Sequence, residues 1–171
     1  MAPDLTTVYS ATPAHYEQTL AAMVLWREAR GLPPKIRHDG YRGILHVILN
    51  RMRDQRWPDQ VHAVILQPYQ FSSFNYRRDV STGQTICDPN SVKWPSSKQP
   101  LDWAAFLDAC GVAADPGEDN TGGANHYHDD SIDPPVKAWL GERGTADQLR
   151  SMKTVKIGPL VFYKIQPLEK R

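Results

Sequence analysis

Pro33 and Pro34 set a boundary that no helix can cross, because proline lacks a backbone N–H and its ring clashes with the preceding turn. Ahead of them, HYEQTLAAMVLWREAR (His15 to Arg30) reads as one uninterrupted helix. Thr12 and Pro13 suit the N-cap and first helical positions, and Gly31 can supply a left-handed residue after the last turn. The helix is therefore expected to end near Arg30. Ala21, Val24, Leu25 and Glu28 fall at i, i+3, i+4 and i+7. A carboxylate thus shares the stripe that faces the core.

A second helix is expected to start at Asp39 or Gly40 and to cover YRGILHVILNRMR, with Tyr41, Ile44, Leu45, Ile48 and Met52 along one side. Val47 and Leu49 widen its apolar surface, which implies a central, nearly surrounded helix. DQVHAVIL follows Trp57-Pro58 and is stopped by Gln67-Pro68. YQFSSFNYRR has no clear period, and a loop rich in Ser, Pro, Asn and Asp is expected to run from there to Pro100. LDWAAFLDAC puts Trp103, Phe106, Leu107 and Cys110 on one helical face. Later, ANHYH and TVKIGPLVFYKI carry β-formers, the second around a Gly-Pro turn. The expected fold class is α+β, mainly α, with a small sheet late in the chain.

A chain of 171 residues is one domain's length and can bury most of the apolar surface of a single core. Twenty basic and 19 acidic side chains leave a formal charge of +1, so no nucleic-acid partner is expected. No run of about 18 apolar residues occurs, so no stable membrane insertion is expected, and the N-terminus lacks the pattern of a secretory signal. Cys87 and Cys110 have neither zinc spacing nor secretory context and read as reduced thiols.

Two local effects act on Glu28: partial burial on the apolar stripe and the negative end of the helix dipole, both of which favour the protonated carboxyl. A carboxyl held protonated can work as a general acid. The other reading is an ion pair with Arg27, Arg30 or Arg51 that only steadies the helix end. Gln70 and Ser72 lie in a short polar run beside aromatic residues, a composition that suits a sugar cleft or equally a loop held by side-chain bonds to backbone. His126 and His128 flank Tyr127 at i and i+2, so on a strand both imidazoles face one side. Zinc hydrolysis normally needs three protein ligands, and no Cys or HExxH motif completes such a set, so no metal and no cofactor is expected. Tyr127 and Tyr163 are open between cleft residues and core aromatics with a satisfied hydroxyl.

WREARG, a helix ending in ILNRM, WPDQVHAVILQPYQFS, GANHYH and IGPLVFY occur in this order. The combination resembles the cell-wall hydrolase family that includes spore-cortex-lytic enzymes, which carries E-A-R-G, V-[IL]-L-N-R, F-P-x-x-[VI]-x-x-V-[IV]-x-Q-x-x-Q-F-S, A-x-H-[FY] and I-G-x-H-x-F-Y. The resemblance spans roughly residues 20 to 164. It implies a lysozyme-like fold that cuts peptidoglycan between N-acetylmuramic acid and N-acetylglucosamine, with Glu28 as the catalytic acid/base of a lytic transglycosylase. In that reaction the muramic 6-hydroxyl attacks its own C1, so one carboxyl suffices. It also implies that Gln70, Ser72, His126, Tyr127 and Tyr163 bind or orient substrate.

Three departures stand out. LPPKIRHDGYRG is longer than the usual segment after E-A-R-G, Leu160 replaces a frequent histidine, and Tyr76 to Pro100 matches no family motif. A hydrolytic muramidase using the same acid and a non-catalytic glycan-binding domain stay open, and a metal-dependent amidase or peptidase is a more distant alternative. A lysozyme mechanism needs a second carboxylate. Asp79, Asp88, Asp129 and Asp130 are available, but spacing does not select among them. The expected organisation is one catalytic domain over residues 1–171, with 1–12 as an extension and no separate wall-binding domain. A monomer is expected, made in the cytoplasm and, if phage-encoded as an endolysin, released to the wall through a holin.

Overall fold

The proline pair acts twice in the computed structural model, which describes residues 13–91 and 93–166. Helix α1 (Pro13–Ala29) ends ahead of it. Helix α2 (Pro34–Met52) begins on it: Pro33, at φ −52° and ψ 139°, is the N-cap residue and Pro34 opens the first turn, where a missing N–H breaks no bond. The start expected at Asp39 or Gly40 is therefore more than a turn late, and most of the long segment after E-A-R-G is helix. Gly31 does not adopt a positive φ, and Leu32 N–H closes the turn on Ala29 O at 3.1 Å in place of a left-handed cap. The Thr12 cap expected from the sequence lies outside the described residues.

From Leu20 to Trp26 every residue of α1 is buried, enclosed by α2, α3 (Val61–Ile65) and α4 (Pro100–Ala114). A helix apolar on all sides belongs in a core, and each Leu, Val or Met so placed contributes about 1.5–3 kcal/mol relative to exposure. The expected central helix, α2, shares this core through Tyr41, Ile44, Leu45, Val47 and Ile48. Of the four residues expected on the core face of α4, Phe106 is buried, Trp103 and Cys110 pack partly buried against the core, and only Leu107 is corrected. Ala105, Phe106, Ala109 and Val112 are buried while Leu107 is 53% exposed, because the helix packs through its alanines, which let it approach α1 and α2 closely.

The expected loop before Pro100 contains an antiparallel hairpin, β1 (Asn75–Arg78) and β2 (Thr85–Asp88). The Asp79 carboxylate organises its turn by accepting the Ser81 and Thr82 N–H groups at 2.9 and 2.8 Å. Hydrogen bonds from Ser81 and Thr82 hold that carboxyl down at about 2.

The late sheet has the order β3-β5-β4, all antiparallel: β3 (His126–Asp129), β4 (Lys153–Ile157) and β5 (Leu160–Tyr163). Gly158, at φ +57°, makes the turn into β5. The central strand is buried on both faces. Leu160 and Phe162 join the helical core, whereas Val161 and Tyr163 join a second cluster with Leu140 of α5 (Val136–Leu140), Leu149 of α6 (Ala146–Ser151) and Ile165. Sheet and helices meet at Gly43, where a Cβ would lie 2.6 Å from Phe162 Cζ. The lack of a side chain at Gly43 lets Phe162 seat on α2, which brings β3 alongside the end of α1. No helix among the described residues is long and apolar enough to cross a membrane.

Candidate active site

Glu28 reaches the surface at the end of α1, partly buried in the wall of a cleft of about 620 Å³. Both carboxyl oxygens are engaged. Ser73 Oγ donates to Oε1, and Tyr127 Oη donates to Oε2 at 3.0 Å. Among the described residues Glu28 makes no ion pair. Arg30 lies over the Trp26 ring and within 3.9 Å of Asp102, and Arg51 bonds elsewhere, so the helix-end ion pair weighed from the sequence is not formed. Burial and the neighbouring Glu28 push the Tyr127 phenol well above its ordinary value. It stays protonated and remains a donor to the carboxylate.

Arg51 ties the cleft walls together. It extends from α2, buried, with Nε donating to Asn125 O at 2.7 Å and Nη1 to Gln70 Oε1 at 3.0 Å. Burial lowers its pKa to about 10, which still leaves it a cation at neutral pH. Asn125 continues the network into the strand ladder. Its Nδ2 donates to Ile165 O at 3.0 Å and its Oδ1 accepts Ile165 N–H at 2.8 Å, which fixes the amide orientation. The His126 Nδ1, 2.8 Å from that same Oδ1, must then carry a proton, leaving the Nε2 lone pair free.

His126 is kept neutral. Burial, then Arg51 and Arg56, push its pKa down to about 3, against the opposing pull of Asp54. Its ring lies 5.7 Å from Trp57 and 4.9 Å from Trp139, so the far wall of the cleft is an aromatic row with an imidazole at its centre. His128 faces the same side of β3, as the i, i+2 spacing requires. Its Nδ1–H donates to Asp129 O at 2.7 Å, so in the neutral ring Nε2 accepts from Tyr163 Oη at 3.1 Å.

Glu28, Gln70, Ser72, His126 and Tyr127 all line this cleft. Tyr163 does not: only 6% exposed, it stacks behind His128 with ring centroids 5.5 Å apart. The contact with substrate expected of Tyr163 is thus replaced by support of a histidine. Sequence reasoning passed over Ser73 in favour of the neighbouring Ser72, which is exposed and leaves the bond to Glu28 to Ser73. It missed Trp57 and Trp139. It also missed Arg51 as a cleft residue, although an arginine three residues after Ile48 and seven after Ile44, on a core stripe, was a usable signal. Asp129, one of four carboxylates the sequence could not rank, lines the cleft and accepts Ser131 N–H at 2.9 Å. Hydrogen bonds from Ser131 hold it below the usual carboxylate range.

Comparison with known proteins bears on what such a cleft belongs to. The family description of cell wall hydrolases matches residues 37–163, most of the chain. The chain belongs to the cell wall hydrolase family. The matched stretch begins beyond α1, so the place of Glu28 rests on the geometry above. Within the family's reach, a spore cortex-lytic enzyme of Halalkalibacterium halodurans is 30% identical over 134 residues, 77% of this chain and 33% of that protein. The chain thus spans about a third of this relative's length. The catalytic domain of the germination-specific lytic transglycosylase SleB from Bacillus anthracis superposes with a TM-score of 0.52 at 23% identity, covering 92% of this chain and all of that one. The catalytic domain of the Bacillus cereus SleB protein gives 0.52 at 25% identity, covering 96% and 98%. The fold is the lysozyme-like, mainly α architecture that the motifs implied.

Proposed function

We propose that this member of the cell wall hydrolase family is a peptidoglycan lytic transglycosylase with Glu28 as its acid/base. The observation that carries the reading is a carboxyl in a sugar-sized cleft, free of any cation partner among the described residues and steadied at both oxygens by neutral hydroxyls. Protonated Glu28 donates to the glycosidic oxygen as the bond from muramic C1 to that oxygen breaks. The same carboxylate then takes the proton of the muramic 6-hydroxyl as its oxygen closes on C1, giving a 1,6-anhydro end. Ser73 and Tyr127 keep the carboxyl aimed through both steps. Gln70 and Ser72 are suited to hydroxyl and acetamido groups, and the neutral His126 presents an acceptor between two indoles. The similarity to a spore cortex-lytic enzyme and to a lytic transglycosylase supports the same reading.

Asp129 favours one second reading, hydrolysis, in which this ionised carboxylate activates water or stabilises the sugar cation. Purified sacculi test both. Wild-type protein should clear them, Glu28→Gln should bind without clearing, and Asp129→Asn should keep most of the activity. Equal clearing by Glu28→Gln contradicts the proposal, and loss of clearing in Asp129→Asn moves it to the hydrolytic form.

A further inference from the structure

Tyr69 carries φ +66°, the only positive φ among the described non-glycine residues. It is the third residue of a turn in which Pro68 is second and Gln70 N–H closes on Gln67 O at 3.3 Å. Proline followed by a positive φ is the pattern of a type II turn, whose third position calls for glycine or asparagine. A tyrosine there strains the backbone, and such strain usually persists where packing or function requires it. Packing is not the reason, because Tyr69 is 76% exposed. The turn is held at its flanks instead: Cys87 Sγ donates to Gln67 O at 3.6 Å, Arg51 holds Gln70, and Phe71 is buried in the core. Tyr69 is left projecting at the cleft rim, paired with Tyr76 of β1, which is 38% exposed, at 4.9 Å between ring centroids.

We infer that the Tyr69–Tyr76 pair is an additional glycan subsite, a stacking platform for an N-acetylated pyranose of the same strand whose scissile bond lies at Glu28. This rests on the proposed glycan substrate. An equatorially substituted pyranose presents a face of axial C–H groups that suits an electron-rich ring, while its rim of hydroxyls meets the phenol tips. The platform is continuous with the catalytic cleft, since Tyr69 lines it next to Gln70, an amide able to bond an acetamido group. Tyr69 occupies one of the unspecified positions of the family's Q-x-x-Q-F-S block, so the platform distinguishes this chain by substrate grip and leaves the chemistry unchanged.

The conformational strain supplies the test, because a binding role and a packing role predict opposite stability changes. Tyr69→Gly should unfold at the same or a higher temperature than wild type. It should also need about 3- to 10-fold more sacculi for half-maximal release, with a smaller fall in the rate at saturation. In a Glu28→Gln background the same loss should appear as weaker sedimentation with sacculi. Tyr69→Phe, which keeps the ring face, should recover most of the lost affinity. Unchanged saturation in Tyr69→Gly overturns the inference, as does a thermal midpoint lowered as far as in a core truncation. Wild-type protein that neither binds nor cleaves sacculi removes the parent reading and this inference with it, whereas an active wild type with an indifferent Tyr69→Gly removes only the subsite.

Discussion

Glu28 stands on a helix enclosed by three others, whereas Tyr127, which holds its carboxyl from the opposite side, stands on a three-stranded sheet. On the outer face of that sheet, Val161 and Tyr163 of β5 meet a small cluster of Leu140, Leu149 and Ile165, edged by Val136, Trp139 and Met152. On the proposed reading, the reacting group is carried by the most enclosed element, and the groups that would meet the sugar are carried by elements with a thinner backing. Arg51 ties the helical core to the sheet and to the Gln70 turn by reaching from α2 to Asn125 and Gln70. If Glu28 is the acid/base, precision is placed where a proton moves, and adaptability where a polymer is gripped.

Substitutions can break or sharpen this contrast. The largest effect belongs to Glu28→Gln, which keeps the shape but removes the transferable proton. Cleavage of sacculi should fall by about 10²–10⁴-fold while the thermal midpoint barely moves, as release assays and calorimetry would register. Retained cleavage would mean that the helical wall does not hold the reacting group.

Arg51→Leu attacks the joint itself. It leaves Asn125 O and Gln70 Oε1 without their donor, and denaturant unfolding should show a loss of about 2–4 kcal/mol. A loss under about 0.5 kcal/mol, the size of an ordinary surface change, would show that the walls do not depend on this tie.

Tyr127→Phe deletes one hydroxyl from the sheet wall. Activity should drop by about 10-fold, the scale of one hydrogen bond to a charged group, with Ser73→Ala behaving similarly. The turnover rate should fall more than the half-saturating sacculus concentration rises. The reverse split would reassign Tyr127 to binding.

The last effect is read on the pH axis, where it is spread over several pH units and leaves stability at neutral pH unchanged. The folded pKa of His126, about 3, lies below its ordinary 6.5, so between these values the unfolded chain binds the extra proton. Stability is full above about pH 6.5 and should decline as pH falls toward 3, by at most about 1.4 kcal/mol per pH unit from this residue. His126→Gln should flatten that acid limb, and an unchanged slope would show that the imidazole is not held neutral by its surroundings.

Much of the helical wall was legible in the sequence, and less of the other. The α1 stripe from Ala21 to Glu28 follows from a 3.6-residue period over a long segment, and its end from the proline pair. The start of α2 did not follow, because the same proline that forbids continuation also opens a helix. The hairpin at Asn75–Asp88 was hidden because its strands are short and its turn is organised by the Asp79 side chain, which reads as loop chemistry. At the site, motif order led to Glu28, Gln70, His126 and Tyr127 in one cleft. It could not separate Ser72 from Ser73, since which of two adjacent serines points at a carboxyl depends on how Phe71 and Phe74 bury. Nor could it assign Trp57 and Trp139, whose partners are set by the docking of the sheet.

The most direct test of the central claim is mass spectrometry of the fragments released from purified sacculi, with Glu28→Gln as control. A transglycosylase acting through Glu28 should release fragments ending in 1,6-anhydromuramic acid, lighter by one water than reducing ends and absent with the variant. Reducing muramic ends would contradict that claim, because water would then be the nucleophile and a second carboxylate, with Asp129 the first to try, would have to take part.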